Sequence, residues 1–184
     1  MNGFTHGLAF PSLTLLVDAG GAVLELAGDQ RALADGPVKL GATPLAAALG
    51  AEPCALLLEL ALVRARRGGR VELALDLVPG QRGATVAEPR RLALRVAPAG
   101  GGRCQVTAIV LRAADPADPG LATVPTRAPG PAGTPPIACR SCGSVEDPER
   151  RLPLEDAVRV PALFSQLAAG DVQLGLCSSC AGSA

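Results

Sequence analysis

The sequence contains almost no aromatic residues. It has no tryptophan and no tyrosine, and its only phenylalanines are Phe4, Phe10 and Phe164. Proteins that bind single-stranded nucleic acid usually stack the bases on several aromatic side chains, so this class of protein is disfavoured. Because 48% of the residues are nevertheless hydrophobic, we expect a packed core built from leucine, valine and alanine.

The residues that common catalytic motifs require are also scarce. His6 is the only histidine and Lys39 is the only lysine. The sequence therefore gives no support for four common catalytic features: a nucleophile with a histidine base, a Schiff-base lysine, a Gly-x-Ser-x-Gly turn, and a phosphate-binding loop that ends in lysine. His6 lies near the N-terminus, where a lone histidine is usually solvated. We predict that the chain is not an enzyme.

Long apolar segments are absent as well. The longest, residues 54–63, is interrupted by Glu59 and followed by three arginines within four positions, so it is too short and too charged to cross a bilayer. Residues 1–11 lack the basic start and apolar stretch of a signal peptide. We therefore expect a cytoplasmic protein with no membrane partner, in a compartment where thiols stay reduced.

The C-terminal cysteines form the most specific chemical pattern. Cys139 and Cys142 form one Cys-x-x-Cys pair, and Cys177 and Cys180 form another. Two such turns supply four thiolates, which is the ligand set of a closed, tetrahedral zinc site. Gly143 follows the first pair, and a glycine there permits positive φ and helps to direct backbone N–H groups at the sulfurs. We expect these four cysteines to bind a structural Zn²⁺.

Other interpretations of the same cysteines remain open. Cys142 and Cys177 lie 35 positions apart, more than the roughly 15 to 20 residues of a short ribbon, so a small insert must fold between the turns. The pairs could also form two disulfides, act as a thiol redox switch, or have no function. A zinc ribbon that binds nucleic acid is the least favoured function, because residues 139–184 contain four arginines against six acidic residues.

The first two thirds of the chain show the patterns of an α+β fold. Alternating apolar residues around Ala19-Gly20-Gly21 predict a hairpin. Thr43-Pro44 predicts the N-cap and first turn of a short helix, and residues 52–67 predict the main helix, with one apolar stripe formed by Leu56, Leu57, Leu60 and Val63. Three further strands follow, at residues 71–77, 92–96 and 104–111. We predict a five-stranded antiparallel sheet with helices on one face.

This order of elements resembles a PAS domain over residues 12–113. The resemblance is carried by the hairpin Leu15-Leu16-Val17-Asp18-Ala19-Gly20-Gly21-Ala22-Val23, by Leu40-Gly41, and by the Arg-rich end of the main helix. It implies a sensor fold of five antiparallel strands with a helical connection between the second and third. Because residues 52–67 lack histidine and no Asn-Cys-Arg-Phe-Leu-Gln stretch surrounds Cys54, we expect neither haem nor a photoactive flavin. The ligand stays unknown.

The rest of the chain divides into a linker and a small module. Residues 114–136 contain seven prolines and no periodic pattern, which is typical of an extended linker between residues 12–113 and residues 137–184. In the last segment, the sequence predicts a helix start at Pro153, a second helix over residues 161–169 that ends at Gly170, and a strand over residues 172–176. At 48 residues, such a zinc-ribbon-like module needs a metal to compensate for its small core.

The tail also resembles a cysteine-rich module found on bacterial PAS-containing sensory proteins, receivers and histidine-kinase relatives. The family pattern is Cys-x-x-Cys, an acidic stretch, Trp-x-Pro-Leu-Glu, and Phe-Ser-His-Gly-Ile-Cys-Pro-x-Cys. The matching residues are Cys139, Cys142, Glu146, Asp147, Pro153, Leu154, Glu155, Gly175, Leu176, Cys177 and Cys180. Arg151, Leu174 and Ser178 replace the family's tryptophan, histidine and second-turn proline. The resemblance implies a bacterial signal-transduction protein with a protein partner, and the PAS-like part implies a homodimer.

Overall fold

The structure, a computed structural model, describes residues 11–77, 89–113 and 135–183. Three parts predicted from the sequence lie wholly or largely outside these residues: a short lead over residues 1–11 with His6, a Gly-containing link over residues 79–83 between two strands, and the linker over residues 114–136. The described elements are β1 (Ser12–Val17), β2 (Val23–Gly28), α1 (Leu45–Ala48), α2 (Ala55–Arg66), β3 (Val71–Leu77), β4 (Arg90–Gly100), β5 (Arg103–Ala113), β6 (Ile137–Cys139), β7 (Ser144–Glu146), β8 (Arg151–Pro153), α3 (Leu154–Ala157), α4 (Pro161–Ala169), β9 (Gln173–Gly175) and α5 (Ser178–Ala181).

Strands β1 to β5 form one antiparallel sheet in the order β2-β1-β5-β4-β3, which confirms the predicted α+β class and the five-stranded sheet. The alternating sequence sets the orientation of each strand, since successive side chains point to opposite faces. In β1, Leu13, Leu15 and Val17 are fully buried, whereas the residues between them are half-buried. The helical connection from β2 to β3 contains α1 and α2.

Helix α2 packs on the sheet and is also covered by the C-terminal segment. It contacts β3, β4 and β5, and it also contacts α3 and α4. The single apolar stripe predicted for it is therefore partly wrong: Leu56 and Val63 are only half-buried, whereas Leu58, Ala61 and Leu62 are buried. Because two layers cover the helix, its buried surface is wider than one stripe.

The short helix α1 begins later than the sequence predicts. Pro44, not Thr43, is its N-cap, and no side chain caps it. The Thr43 hydroxyl instead accepts a hydrogen bond from the Lys39 backbone N–H at 2.8 Å. Thr43 thus closes the turn before the helix, a local use of threonine that competes with capping.

The C-terminal segment forms a four-stranded sheet in the order β8-β7-β6-β9; α3 contacts β7 and β8, whereas α4 contacts α2. Helix α4 confirms the helix predicted over residues 161–169, and Gly170 ends it with φ 73°. Strand β9 confirms the strand predicted over residues 172–176. Strands β6 and β9 run parallel, and Cys139 pairs with Gly175. This pairing places the end of β9, two residues before Cys177, beside the first cysteine turn.

One apolar cluster includes residues from both described segments. Leu154, Ala157 and Leu167 of the C-terminal segment are fully buried and belong to the same cluster as the sheet and α2. Burial of this kind is the main favourable contribution to folding. The two segments therefore share a core in the described structure, while the division into residues 12–113 and 137–184 stays a prediction.

Candidate metal centre

The first cysteine turn is held by backbone hydrogen bonds on both sides. Cys139 is the last residue of β6, and its carbonyl oxygen accepts from the Gly143 N–H at 2.9 Å. Gly143 has φ 70°, so the predicted positive φ is present. Its own N–H, however, bonds to the Cys139 carbonyl oxygen and not to a sulfur. The Arg140 N–H donates to the Gly175 carbonyl oxygen at 3.0 Å, which ties the turn to β9.

The second turn is the start of the short helix α5. Cys177 is its N-cap residue, and its carbonyl oxygen accepts from the N–H groups of Cys180 and Ala181 at 3.0 and 2.9 Å. The Ser178 N–H donates to Glu146 Oε2 at 2.7 Å. Glu146 lies in β7, so this bond ties the second turn to the sheet that carries the first. Hydrogen bonds from the Ser178 side chain and backbone lower the pKa of the Glu146 carboxyl.

These two turns bring together the four cysteines that the sequence predicts as ligands. The sulfurs of Cys139, Cys142, Cys177 and Cys180 all lie within 4.8 Å of one another. The Cys142 and Cys177 sulfurs, one from each turn, are 3.7 Å apart. A tetrahedron of sulfurs at a zinc–sulfur distance of about 2.3 Å has edges of about 3.8 Å. The donor set and its spacing therefore fit a tetrahedral thiolate-preferring ion.

None of the four cysteines forms a disulfide, and the pKa values of Cys139 and Cys180 are shifted in opposite directions. Burial raises the pKa of Cys139, but backbone N–H groups of Cys177, Cys142 and Ser141 hydrogen-bond to its sulfur and bring the pKa down to about 6. Hydrogen bonds with the Cys177 and Cys142 sulfurs raise the pKa of Cys180 to about 12. The cluster thus favours a thiolate at Cys139 and a thiol at Cys180.

Other polar groups lie around the cluster, and the sequence patterns did not predict that they would be there. The Cys142 thiol lies 3.3 Å from Ser144 Oγ, and Arg151 Nη1 lies 3.9 Å from the Cys177 sulfur. Arg151 is one of the departures from the family pattern, and so is Ser178. A proline at position 178 would have no N–H to donate to Glu146. The presence of serine in place of the family's proline is therefore the sequence feature that could have indicated this hydrogen bond.

Helix α2 reaches the first cysteine turn from the other segment. Arg67 Nε and Nη2 donate to the Ser141 carbonyl and hydroxyl oxygens, each at 3.2 Å. Arg64 makes a bidentate ion pair with Glu155 of α3, with Nε–Oε2 and Nη2–Oε1 distances of 2.8 and 2.6 Å. The pKa of Arg64 is raised, first by its hydrogen bond to Glu155 and, in part, by the charge of Cys142. Local sequence patterns gave no signal for these contacts.

The remaining two cysteines are separate from the cluster. Cys54 and Cys104 are both buried, and burial raises the pKa of both thiols. The Cys104 thiol lies 3.6 Å from the Leu62 carbonyl oxygen, which gives it a partner inside the core. Both are protonated core residues in this structure, so they offer an internal comparison for the four clustered cysteines.

Comparison with known proteins gives no significant match for this chain: no family model matches it, and neither the curated proteins nor the solved structures include one. Among the helices of the described residues, none has the length and apolar character needed to cross a membrane.

Proposed function

We propose that the chain is a cytoplasmic bacterial signalling module in which Cys139, Cys142, Cys177 and Cys180 hold a structural Zn²⁺. The observation that carries the metal assignment is the clustering of their four sulfurs within 4.8 Å. Four thiolates leave no position for substrate, so the role of such a zinc is structural, which agrees with the predicted absence of enzymatic activity. The bound zinc would offset two of the four thiolate charges and join the two turns.

The proposed sensory part is the PAS-like segment of residues 12–113. Its support is the arrangement of five antiparallel strands with a helical connection between the second and third. A groove of about 470 Å³ runs along β3, β4 and β5, and Ala74, Ala93 and Ile109 are among its lining residues. In our proposal this part senses a ligand or forms a homodimer through its sheet.

The proposed output is contact with a protein partner near the cysteines. Leu174 and Leu176 lie directly before the second pair, and their exposed fractions are 38% and 47%. Strand β9, which contains Leu174, is an edge strand of its sheet. Exposed apolar side chains at a strand edge are common features of protein contact surfaces. A zinc-bound turn would hold this edge in a fixed orientation.

The metal content of the full chain tests the zinc assignment. Protein purified under reducing, chelator-free conditions should contain one zinc per chain. A Cys139→Ser, Cys177→Ser double variant should contain none, and amide hydrogen exchange should become faster across residues 137–183, because the two turns would no longer be joined by a metal.

The chain offers a matched control in its two other cysteines. A Cys54→Ala, Cys104→Ala double variant also loses two buried thiols, but it leaves the cluster intact and should retain its zinc. Wild-type protein without metal, or equal loss of zinc from both double variants, would contradict the structural-zinc assignment.

A thiol redox switch is the second candidate function. The Cys142 and Cys177 sulfurs are 3.7 Å apart, so a disulfide between the turns would need only a small movement. In this reaction two zinc-bound thiolates give two electrons to hydrogen peroxide, which takes up two protons from solvent and is reduced to two waters, and the zinc is released. Release of zinc at micromolar peroxide, reversed by dithiothreitol, would favour the switch; retention of zinc would favour a structural role alone.

A further inference from the structure

We propose that Arg64 and Arg67 of helix α2 are positioning residues for the four-cysteine site. The site would then be assembled from both segments of the chain rather than from the cysteine-rich tail alone. This inference rests on the proposed metal binding and adds to it two residues of α2: Arg67, which holds the first turn, and Arg64, which holds the insert between the turns.

The first turn approaches α2 closely at Gly143. A Cβ placed on Gly143 would lie 2.9 Å from Arg64 Cβ and 3.0 Å from both Arg64 N and Leu60 O. Two of these atoms belong to the helix backbone and cannot rotate away. The residue that follows Cys142 thus lies in direct contact with the helix, and this close approach requires glycine.

Arg67 holds the first turn by polar contacts, and Arg64 ties α2 to the insert between the two turns. Arg67 donates to both oxygens of Ser141, which lies inside the first Cys-x-x-Cys pair. Arg64 holds Glu155 at the start of α3, and its side chain is only 26% exposed. An arginine fork that binds two oxygens restricts orientation more strongly than a single hydrogen bond.

Zinc binding requires the first two sulfurs to face the second pair at a fixed distance, so any group that limits the motion of the first turn favours the bound geometry. Loss of an outer-shell partner typically lowers metal affinity by about 10- to 100-fold. Since α2 also packs on β4 and β5, the five-stranded sheet fixes the position of these outer-shell groups.

Metal competition on the full chain tests the inference. We would titrate zinc against a chromophoric chelator for wild-type protein and for the Arg64→Gln and Arg67→Gln variants. Each variant should bind zinc about tenfold more weakly. Arg95→Gln is the matched control, because it removes an exposed ion pair with Glu72 that lies outside the cysteine segment.

Two further readouts separate positioning from a general loss of stability. Arg67→Lys retains a donor for the Ser141 carbonyl oxygen and should recover most of the affinity. Cobalt bound in place of zinc should show altered tetrahedral absorption bands in the Arg67→Gln protein, while the unfolding midpoint of the metal-free protein stays close to that of Arg95→Gln.

The possible outcomes are distinct. Wild-type protein that binds no zinc would overturn the proposed metal function and this inference together. Zinc bound with the same affinity and the same cobalt spectrum in wild type, Arg64→Gln and Arg67→Gln would overturn only the role of α2. Weaker binding that Arg67→Lys fails to recover, accompanied by an equal fall in metal-free stability, would also overturn it.

Discussion

The Arg64 guanidinium and the Glu155 carboxylate, 91 positions apart in sequence, form a bidentate ion pair between α2 and α3. Both side chains are 26% exposed, so the pair is shielded from solvent more than most surface ion pairs are. The hydrogen bond from Arg64 is the main reason that the pKa of the Glu155 carboxyl is lowered. The pair links the helix that covers the five-stranded sheet to the insert between the two cysteine turns.

Removal of either partner should destabilise the protein. We expect Arg64→Gln and Glu155→Gln each to lower the free energy of unfolding by about 2 kcal/mol, because each leaves a charged, partly buried group without its partner. The double variant should lose less than the sum of the two single losses. Chemical denaturation at pH 7 measures this coupling as a double-mutant cycle.

The exposed Arg95–Glu72 pair provides the comparison for this cycle. Its two side chains are 62% and 61% exposed, so Arg95→Gln should cost less than about 1 kcal/mol. Additive losses for the Arg64 and Glu155 variants would mean that the two groups do not stabilise each other.

The sequence was sufficient to predict the elements whose patterns are long enough to be read locally. In β3, Leu73 and Leu75 alternate with exposed residues over seven positions, and the cysteine spacing predicts the four-sulfur cluster. The three-residue strands β6, β7 and β8 are too short to show an alternating pattern, and the parallel pairing of β6 with β9 depends on the whole insert.

Long-range polar contacts could not be predicted for a different reason. The arginines near the end of α2 have a sufficient local explanation in the helix dipole, and Glu155 has one in the first turn of α3. Nothing in the local sequence links Arg64 to Glu155 or Arg67 to Ser141. The same limit explains the stripe on α2, since the helix is also covered by α3 and α4, which lie about 100 positions later in the sequence.

The shared core predicts that the two segments unfold together. Leu154 of α3 is fully buried, so Leu154→Ala should lower the free energy of unfolding by about 2–5 kcal/mol. Because its cluster includes residues of the sheet and of α2, amide exchange should become faster in β3, β4 and β5 as well as in the tail. Exchange measured by mass spectrometry can follow both regions at once.

Leu174→Ala is the matched control for this experiment, because it removes the same atoms from a side chain that is 38% exposed. It should change stability by less than about 0.5 kcal/mol. Faster exchange confined to residues 135–183 in Leu154→Ala would instead indicate two units that unfold independently.

Metal binding should release protons and should strengthen as the pH rises. Only thiolates bind zinc, so at pH 7 the ion must displace the proton of Cys180, whose pKa is raised to about 12. Cys139, with a pKa of about 6, is mostly ionised at that pH but becomes protonated as the pH falls below 6. More protons should therefore be released per zinc at pH 5.5 than at pH 7, and the affinity should be lower.

Calorimetric titration in buffers of different ionisation enthalpy measures the number of protons released. Binding that releases no proton at pH 7, or an affinity that does not change between pH 5.5 and 8, would contradict the arrangement of a thiolate at Cys139 and a thiol at Cys180.

Substitution of Gly143 should lower the stability of the protein by more than its positive φ alone would explain. Gly143 and Gly102 have φ values of 70° and 75°, a left-handed conformation that costs other residues roughly 1–2 kcal/mol. A Cβ at Gly102 would have no atom within 4 Å, whereas a Cβ at Gly143 would press on the backbone of α2. Gly143→Ala should therefore lower stability by about 1 kcal/mol or more beyond the loss in Gly102→Ala, and it alone should weaken zinc binding. Equal losses of stability with unchanged zinc affinity would show that the turn does not depend on its contact with the helix.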